Sequence, residues 1–170
     1  MKALSYIFVL LAAAFLLAAC SGTQNAATAD GNQAPAFDLV DLAGESHDLS
    51  QYAGEGVYIK FWASWCSICL AGMDELNALA GEETDFTVLT IVSPGANAEK
   101  NTESFTHWFE GLENTENIRV LLDEGGASFE DYGIIGFPTS IFISSDGEFV
   151  KRVQGHVGND QIKEEFESIQ

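Results

Sequence analysis

Basic residues are scarce in this chain. Seven Lys and Arg stand against 26 Asp and Glu, a formal charge of −19 over 170 residues. Such a surface repels phosphate backbones and anionic lipid heads, which excludes nucleic-acid binding and attachment through a polybasic patch. Cysteine is limited to three, and the three histidines, His47, His107 and His156, lie scattered without ligand spacing. A structural zinc site wants four ligands, so neither a metal nor another cofactor is expected. The unbroken apolar run at residues 6–19 is too short for a comfortable membrane span. No internal repeat is visible.

That run instead reads as the core of a signal peptide. Lys2 supplies the positive start, and Leu17-Ala18-Ala19-Cys20 closes it with small residues before a cysteine. The pattern resembles the bacterial lipobox, in which the cysteine thiol is lipidated and becomes the new N-terminus. Residues 1–19 are therefore expected to be removed, with Cys20 as a lipid anchor and not a third redox thiol. Cleavage would remove one lysine and no acid, leaving 6 basic against 26 acidic residues, a formal charge of −20. One acyl chain binds a bilayer weakly, so the diacyl group of a lipoprotein matters. An ordinary secretory signal would instead leave Cys20 free. Residues 20–34 carry Ser, Gly, Thr, Gln, Asn and Ala with a single charge and cannot bury a core. They are expected to form a lipid-anchored tether, followed by one domain at 35–170.

Within that domain, residues 36–40 and 45–49 flank a turn-rich link and predict an opening hairpin. Residues 57–62 read as a buried strand. Leu70, Met73, Leu76 and Leu79 then recur at helical spacing, giving the next helix its core face. Residues 86–92 predict a second long strand that ends at Ser93-Pro94-Gly95. Phe105, Trp108, Phe109 and Leu112 predict an amphipathic helix over 102–112 with Trp108 on its core stripe. A strand at 118–122, a short helix at 127–132 carrying Phe129 and Tyr132 inward, strands at 139–143 and 148–153 joined at Ser145-Asp146-Gly147, and a terminal helix marked by Ile162, Phe166 and Ile169 complete the pattern. This order is an α/β sheet with a parallel half and an antiparallel edge.

The chemistry concentrates at Cys66-Ser67-Ile68-Cys69, where the strand gives way to the helix. Two cysteines with two residues between them can pass between dithiol and disulfide. At the helix mouth, free N–H groups and the dipole favour a thiolate, so Cys66 is the expected nucleophile. Cys69, one turn deeper, is placed to resolve a mixed disulfide. A pair of inert core cysteines would sit inside an apolar stripe and not at a strand-to-helix transition. Trp65 is expected to shield the disulfide and to dock partners, whereas Trp62 reads as packing. Asp74, Glu75 and the histidines read as solvated surface groups.

Lys60-Phe61-Trp62-Ala63-Ser64-Trp65-Cys66-Ser67-Ile68-Cys69-Leu70, Ile91-Val92-Ser93-Pro94-Gly95 and Gly136-Phe137-Pro138-Thr139-Ser140 together resemble the extracytoplasmic thioredoxin-like proteins of the TlpA and ResA type. The chain looks most like the members that reduce bacterial surface methionine sulfoxide reductases. The resemblance covers the chain from about residue 35 onward. It implies a TlpA-like thioredoxin fold with an N-terminal hairpin and a central helix-containing insertion. It also implies a cis Phe137–Pro138 bond that presents the backbone of Phe137 to an extended partner, against the alternative of a trans proline opening an edge strand. Trp65, Ser67, Ile68, Phe137 and Pro138 are then the expected docking residues. Two positions depart from cytosolic thioredoxins. Lys60 stands where they keep a buried acid that handles the second cysteine's proton, and it either favours thiolates or snorkels outward. Ser67-Ile68 between the cysteines carries no proline.

The resulting expectation is a monomeric, membrane-anchored, extracytoplasmic thiol–disulfide oxidoreductase that reduces partner disulfides. A surface methionine sulfoxide reductase is its expected client, and a CcdA- or DsbD-like membrane carrier its electron donor. Three alternatives stay open: a disulfide-forming oxidase for secreted proteins, a cytochrome c maturation thioredoxin, and a copper-binding assembly factor using His156 with the two cysteines.

Overall fold

The structure, a computed structural model, describes residues 32–169. The expected signal peptide, Cys20 and most of the expected tether lie outside the described residues. Strands β1 (Asp38–Asp41) and β2 (Ser46–Asp48) form the predicted hairpin, followed by a 3-10 turn at Leu49–Tyr52. Strand β3 (Gly56–Phe61) leads into helix α1 (Ser67–Ala71), then α2 (Met73–Ala80) and β4 (Phe86–Val92). Helix α3 (Thr102–Glu110), β5 (Val120–Leu122) and α4 (Ala127–Asp131) follow, and β6 (Thr139–Ile143), β7 (Phe149–Gln154) and α5 (Asn159–Ile169) close the domain.

The seven strands run in the order β2-β1-β5-β4-β3-β6-β7. Strand β3 pairs parallel with β4 and antiparallel with β6, and β4 pairs parallel with β5. The chain thus crosses over one face twice before turning back as the β6–β7 hairpin. The expected α/β thioredoxin fold is present, with α3 as the additional helix and the N-terminal hairpin extending the β5 edge. Residues 32–34, expected in the tether, are tied to this sheet: Phe149 N–H donates to the Asn32 carbonyl at 2.7 Å and Ala34 N–H to that of Gly147 at 3.0 Å.

All six residues of β3 are buried, which makes it the central strand with a core on each side. On one face Tyr58 and Trp62 meet Cys69, Met73, Leu76 and Leu79 of α1 and α2, Phe105 and Phe109 of α3, and Ile162 and Phe166 of α5. On the other, Val57, Ile59 and Phe61 meet Phe37 and the α4 pair Phe129 and Tyr132. Period-two alternation along the strand therefore assigns each side chain to one of two dry layers. Trp62 is fully buried among Phe105, Trp108 and Phe109, with centroid separations of 5.8–6.3 Å, and Trp108 packs half-buried on the same cluster.

One feature of the predicted active-site helix differs. Gly72 divides it into α1 and α2, and the inward stripe is Cys69, Met73, Leu76 and Leu79 while Leu70 faces out. The break shifts the register of the first turn, so the apolar residue that fits the simplest stripe is displaced by the cysteine.

Candidate active site

Strand β3 aims the chain at the edge of the sheet, and the buried segment Trp62–Ser64 carries it into the first turn of α1. Cys66 caps that helix with extended backbone, and its Sγ accepts the Cys69 N–H at 3.2 Å. This is the donor arrangement that stabilises a thiolate, since an orphan helix N–H points at the sulfur. Cys66 and Cys69 are joined in a disulfide. Cys66 retains 6% exposure and Cys69 none, so an incoming sulfur reaches the bridge from the Cys66 side.

A rim of apolar side chains surrounds that opening. Trp65 is 53% exposed and Ile68 58% exposed, and Ser67 is also exposed. The Trp65 ring meets Phe137 edge-on at 5.6 Å, and Phe137 in turn rests on Phe129. The Phe137–Pro138 bond is cis, and Pro138 is buried. The Pro138 carbonyl accepts from Gly155 N–H at 2.8 Å, whereas among the described residues neither Phe137 N–H nor its C=O has a hydrogen-bond partner. An unpaired donor and acceptor beside an apolar rim suit an extended polypeptide, which supplies matching groups every second residue. Sequence reasoning missed Ile135, which is 87% exposed two residues before Phe137. Its only signal was an apolar residue in a segment with no core partner.

A second missed element holds Trp65. Residues 93–100 form a loop closed by Gly95 N–H donating to the Lys100 carbonyl at 2.9 Å, with Gly95, Asn97 and Ala98 at positive φ. From it the buried Glu99 carboxylate accepts Ser64 N–H at 2.5 Å and Ser64 Oγ–H at 2.6 Å. Lys100 Nζ donates to Ser64 Oγ at 2.6 Å and lies 4.8 Å over the Trp108 ring. The Trp65 indole N–H donates to the Asn97 carbonyl at 3.0 Å. Charge-assisted bonds in a dry setting are the strong ones, so this loop fixes the backbone just before Cys66.

Lys60 is 2% exposed, which removes the outward-snorkelling alternative. Burial holds its ammonium below the ordinary lysine range, while the charge of Glu75 acts in the opposite direction. Of the groups read as solvated surface residues, Asp74, Glu75, His107 and His156 are exposed, with Glu75 Oε2 3.1 Å from His156 Nε2 and Glu75 also bound to Asn159, whereas His47 is not. His47 is buried between Asp41 and Tyr52. Asp41, Glu45 and His47 are the one group of three potential metal ligands found close together among the described residues, and His156 forms no such group with the cysteines.

An accessible Cys66 in a CxxC disulfide at the mouth of a thioredoxin-fold helix defines a thiol–disulfide oxidoreductase, a protein that exchanges its disulfide with those of partner proteins. Residues 29–168 match the Redoxin family, and the chain belongs to it. It is 30% identical to the thiol-disulfide oxidoreductase ResA of Geobacillus thermodenitrificans over 173 residues, covering 99% of this chain and 94% of that one. An uncharacterized protein of Haemophilus influenzae is 47% identical over 126 residues, 74% of this chain and 80% of its own. Among solved structures, the exposed lipoprotein thioredoxin Etrx1 of Streptococcus pneumoniae strain TIGR4 superposes with a TM-score of 0.76 at 40% identity, covering 79% of this chain and 99% of that chain.

Proposed function

We propose that this protein is a lipid-anchored, extracytoplasmic reductase of partner disulfides, with a surface methionine sulfoxide reductase as its client. In this reading the Cys66 thiolate attacks the client disulfide and forms a mixed disulfide. Cys69 then attacks Cys66 Sγ, the client leaves reduced, and the Cys66–Cys69 bridge remains. A CcdA- or DsbD-like membrane carrier returns the two electrons. The client lies against Trp65, Ser67, Ile68, Phe137 and Pro138.

The observation that carries the reading is the pairing of a one-sidedly accessible Cys66 with the unpaired Phe137 backbone. The site favours an extended protein segment over a small thiol, because a small thiol has no use for those backbone groups. Anchoring through Cys20 at the cell membrane is supported by Leu17-Ala18-Ala19-Cys20 and by the likeness to a pneumococcal protein described as an exposed lipoprotein. A sulfoxide reductase as client is supported by the family resemblance that Ser93-Pro94-Gly95 helps to carry, and such an enzyme's own catalysis ends in a disulfide that needs an external dithiol.

The test is the reduction potential, equilibrated against glutathione and dithiothreitol, followed by sulfoxide-reductase turnover with this protein as sole dithiol. A potential below roughly −220 mV with sustained turnover is expected. A potential near about −120 mV would assign the protein to disulfide formation.

A further inference from the structure

Arg152 pairs with no carboxylate among the described residues, although the chain carries 26 acids. Its Nη1 donates instead to the Tyr132 carbonyl at 3.0 Å and to the Gly133 carbonyl at 2.9 Å. Both carbonyls lie just past the C-terminal end of α4, and neither has another partner among the described residues. One guanidinium nitrogen thus closes a helix end that the helix's own N–H groups cannot reach.

The arginine comes from the far edge of the sheet. Strand β7 pairs Arg152 with Ile141 and Gln154 with Thr139, so the two side chains stand two residues apart on the face that packs α4. Both reach glycines of one stretch, Gly133-Ile134-Ile135-Gly136. Gly133 holds a φ of 61°, and a methyl group there would run into Arg152 Nη1; at Gly136 it would stand 2.5 Å from Gln154 Nε2. The two glycines therefore let the chain lie directly on these side chains. Ile134 N–H donates inward to the Phe129 carbonyl at 2.8 Å, and the Gly136 carbonyl accepts Thr139 Oγ1–H at 2.8 Å. Between those ties Ile135 makes no backbone hydrogen bond among the described residues, yet it holds an apolar side chain in water at 87% exposure.

We propose that Arg152 is a positioning residue for the docking of protein partners. By tying the end of α4 to β7 it fixes the path of residues 132–136, so that Ile135 and Phe137 form one preformed edge of the rim around Cys66. An extended partner segment pairs with the Phe137 backbone and lays an apolar side chain on Ile135, two residues along, the spacing at which strand side chains return to one face. Ordering this stretch before contact removes the entropy loss that a loose loop would suffer on binding. The bonds Arg152 makes are to carbonyls of this stretch, so its loss acts on docking and not on the exchange of electrons. The inference rests on docking of a protein at Phe137 and on no particular client.

The test compares the full chain and its variants on an oxidised methionine sulfoxide reductase, on insulin as a second protein disulfide, and on 5,5′-dithiobis(2-nitrobenzoate) as a small one. In Arg152→Met, KM for the protein substrates is expected to rise at least about threefold, while kcat and the rate with the small disulfide stay within about twofold. Arg152→Gln, whose shorter stem reaches neither carbonyl, is expected to do the same and serves if Arg152→Met does not fold. In an Ile135→Ser background, Arg152→Met is expected to change KM less than about twofold further, because the side chain it positions is gone. Equal losses with small and protein disulfides, an unchanged KM, or full additivity of the two substitutions would overturn the proposal. A wild type that reduces insulin but not the sulfoxide reductase would instead remove that client, with the Arg152 outcome read on insulin. A wild type that reduces neither protein would overturn both.

Discussion

The indole N–H of Trp65 donates to the backbone carbonyl of Asn97, 3.0 Å away and 32 residues later in the chain. A ring that is 53% exposed would otherwise sample several rotamers, and this bond selects one of them beside the disulfide. The docking rim is therefore preorganised by the loop at residues 93–100.

That loop is held by Glu99. Glu99→Ala leaves the Ser64 N–H buried without its acceptor, a loss on the order of 1–3 kcal/mol. Chemical denaturation is expected to show that loss. Steady-state kinetics with a protein disulfide client are expected to show a rise in KM larger than the fall in kcat, because the sulfurs are intact and the rim is not. Equal loss in both parameters would place Glu99 in the chemistry instead.

Ile135 separates docking from stability. At 87% exposure it contributes nothing measurable to the core, so Ile135→Ser is expected to leave the thermal midpoint unchanged within the ±0.5 kcal/mol usual for surface substitutions. The same substitution is expected to weaken use of a protein client while leaving reaction with small disulfides untouched. A parallel loss toward both substrates would contradict an apolar docking rim.

The sequence made the local features legible and left the distant ones hidden. Cys66, Cys69 and the strand run before them are contained in a few residues, so their chemistry could be read in place, whereas the cis state of Phe137–Pro138 was expected only from the family resemblance. The buried run of β3 and the stripes of α2 and α5 were legible as core, whereas the division of β3 side chains between two layers emerges only in the fold. Glu99 meets Ser64 across 35 residues, and His156 meets Glu75 across 81, with no periodicity to announce either pairing. Gly72 looked like an ordinary helix residue because the groups that require its small size come from β3 and from the segment after β7. His47 looked like a surface residue because Asp41 and Tyr52, which bury it, carry no pattern that marks them as its partners.

Alkaline pH tests the helix-facing core. Tyr58 hydroxyl and Ser140 Oγ are 2.7 Å apart in a buried pair, and burial pushes the Tyr58 phenol up to about 12 from its ordinary 10. The folded state holds this proton between those values while the unfolded chain releases it. Stability present below pH 10 is therefore lost as pH rises toward 12, by up to about 1.4 kcal/mol per unit. Tyr132, also buried and shifted upward, adds to the same slope. Urea unfolding at pH 8 and pH 11 is expected to show the decline, and Tyr58→Phe is expected to lose part of the slope while costing about 1 kcal/mol at pH 8. An identical slope in Tyr58→Phe would show that the phenol is not insulated from water.

The central claim is that Cys66 receives the partner and Cys69 releases it. The most direct measurement is mass spectrometry of the species formed when each single variant meets an oxidised methionine sulfoxide reductase. Cys69→Ser is expected to accumulate a covalent complex linked through Cys66, reversible by dithiothreitol, and Cys66→Ser is expected to form none. A complex linked through Cys69, or client reduction that persists in Cys66→Ser, would contradict the account.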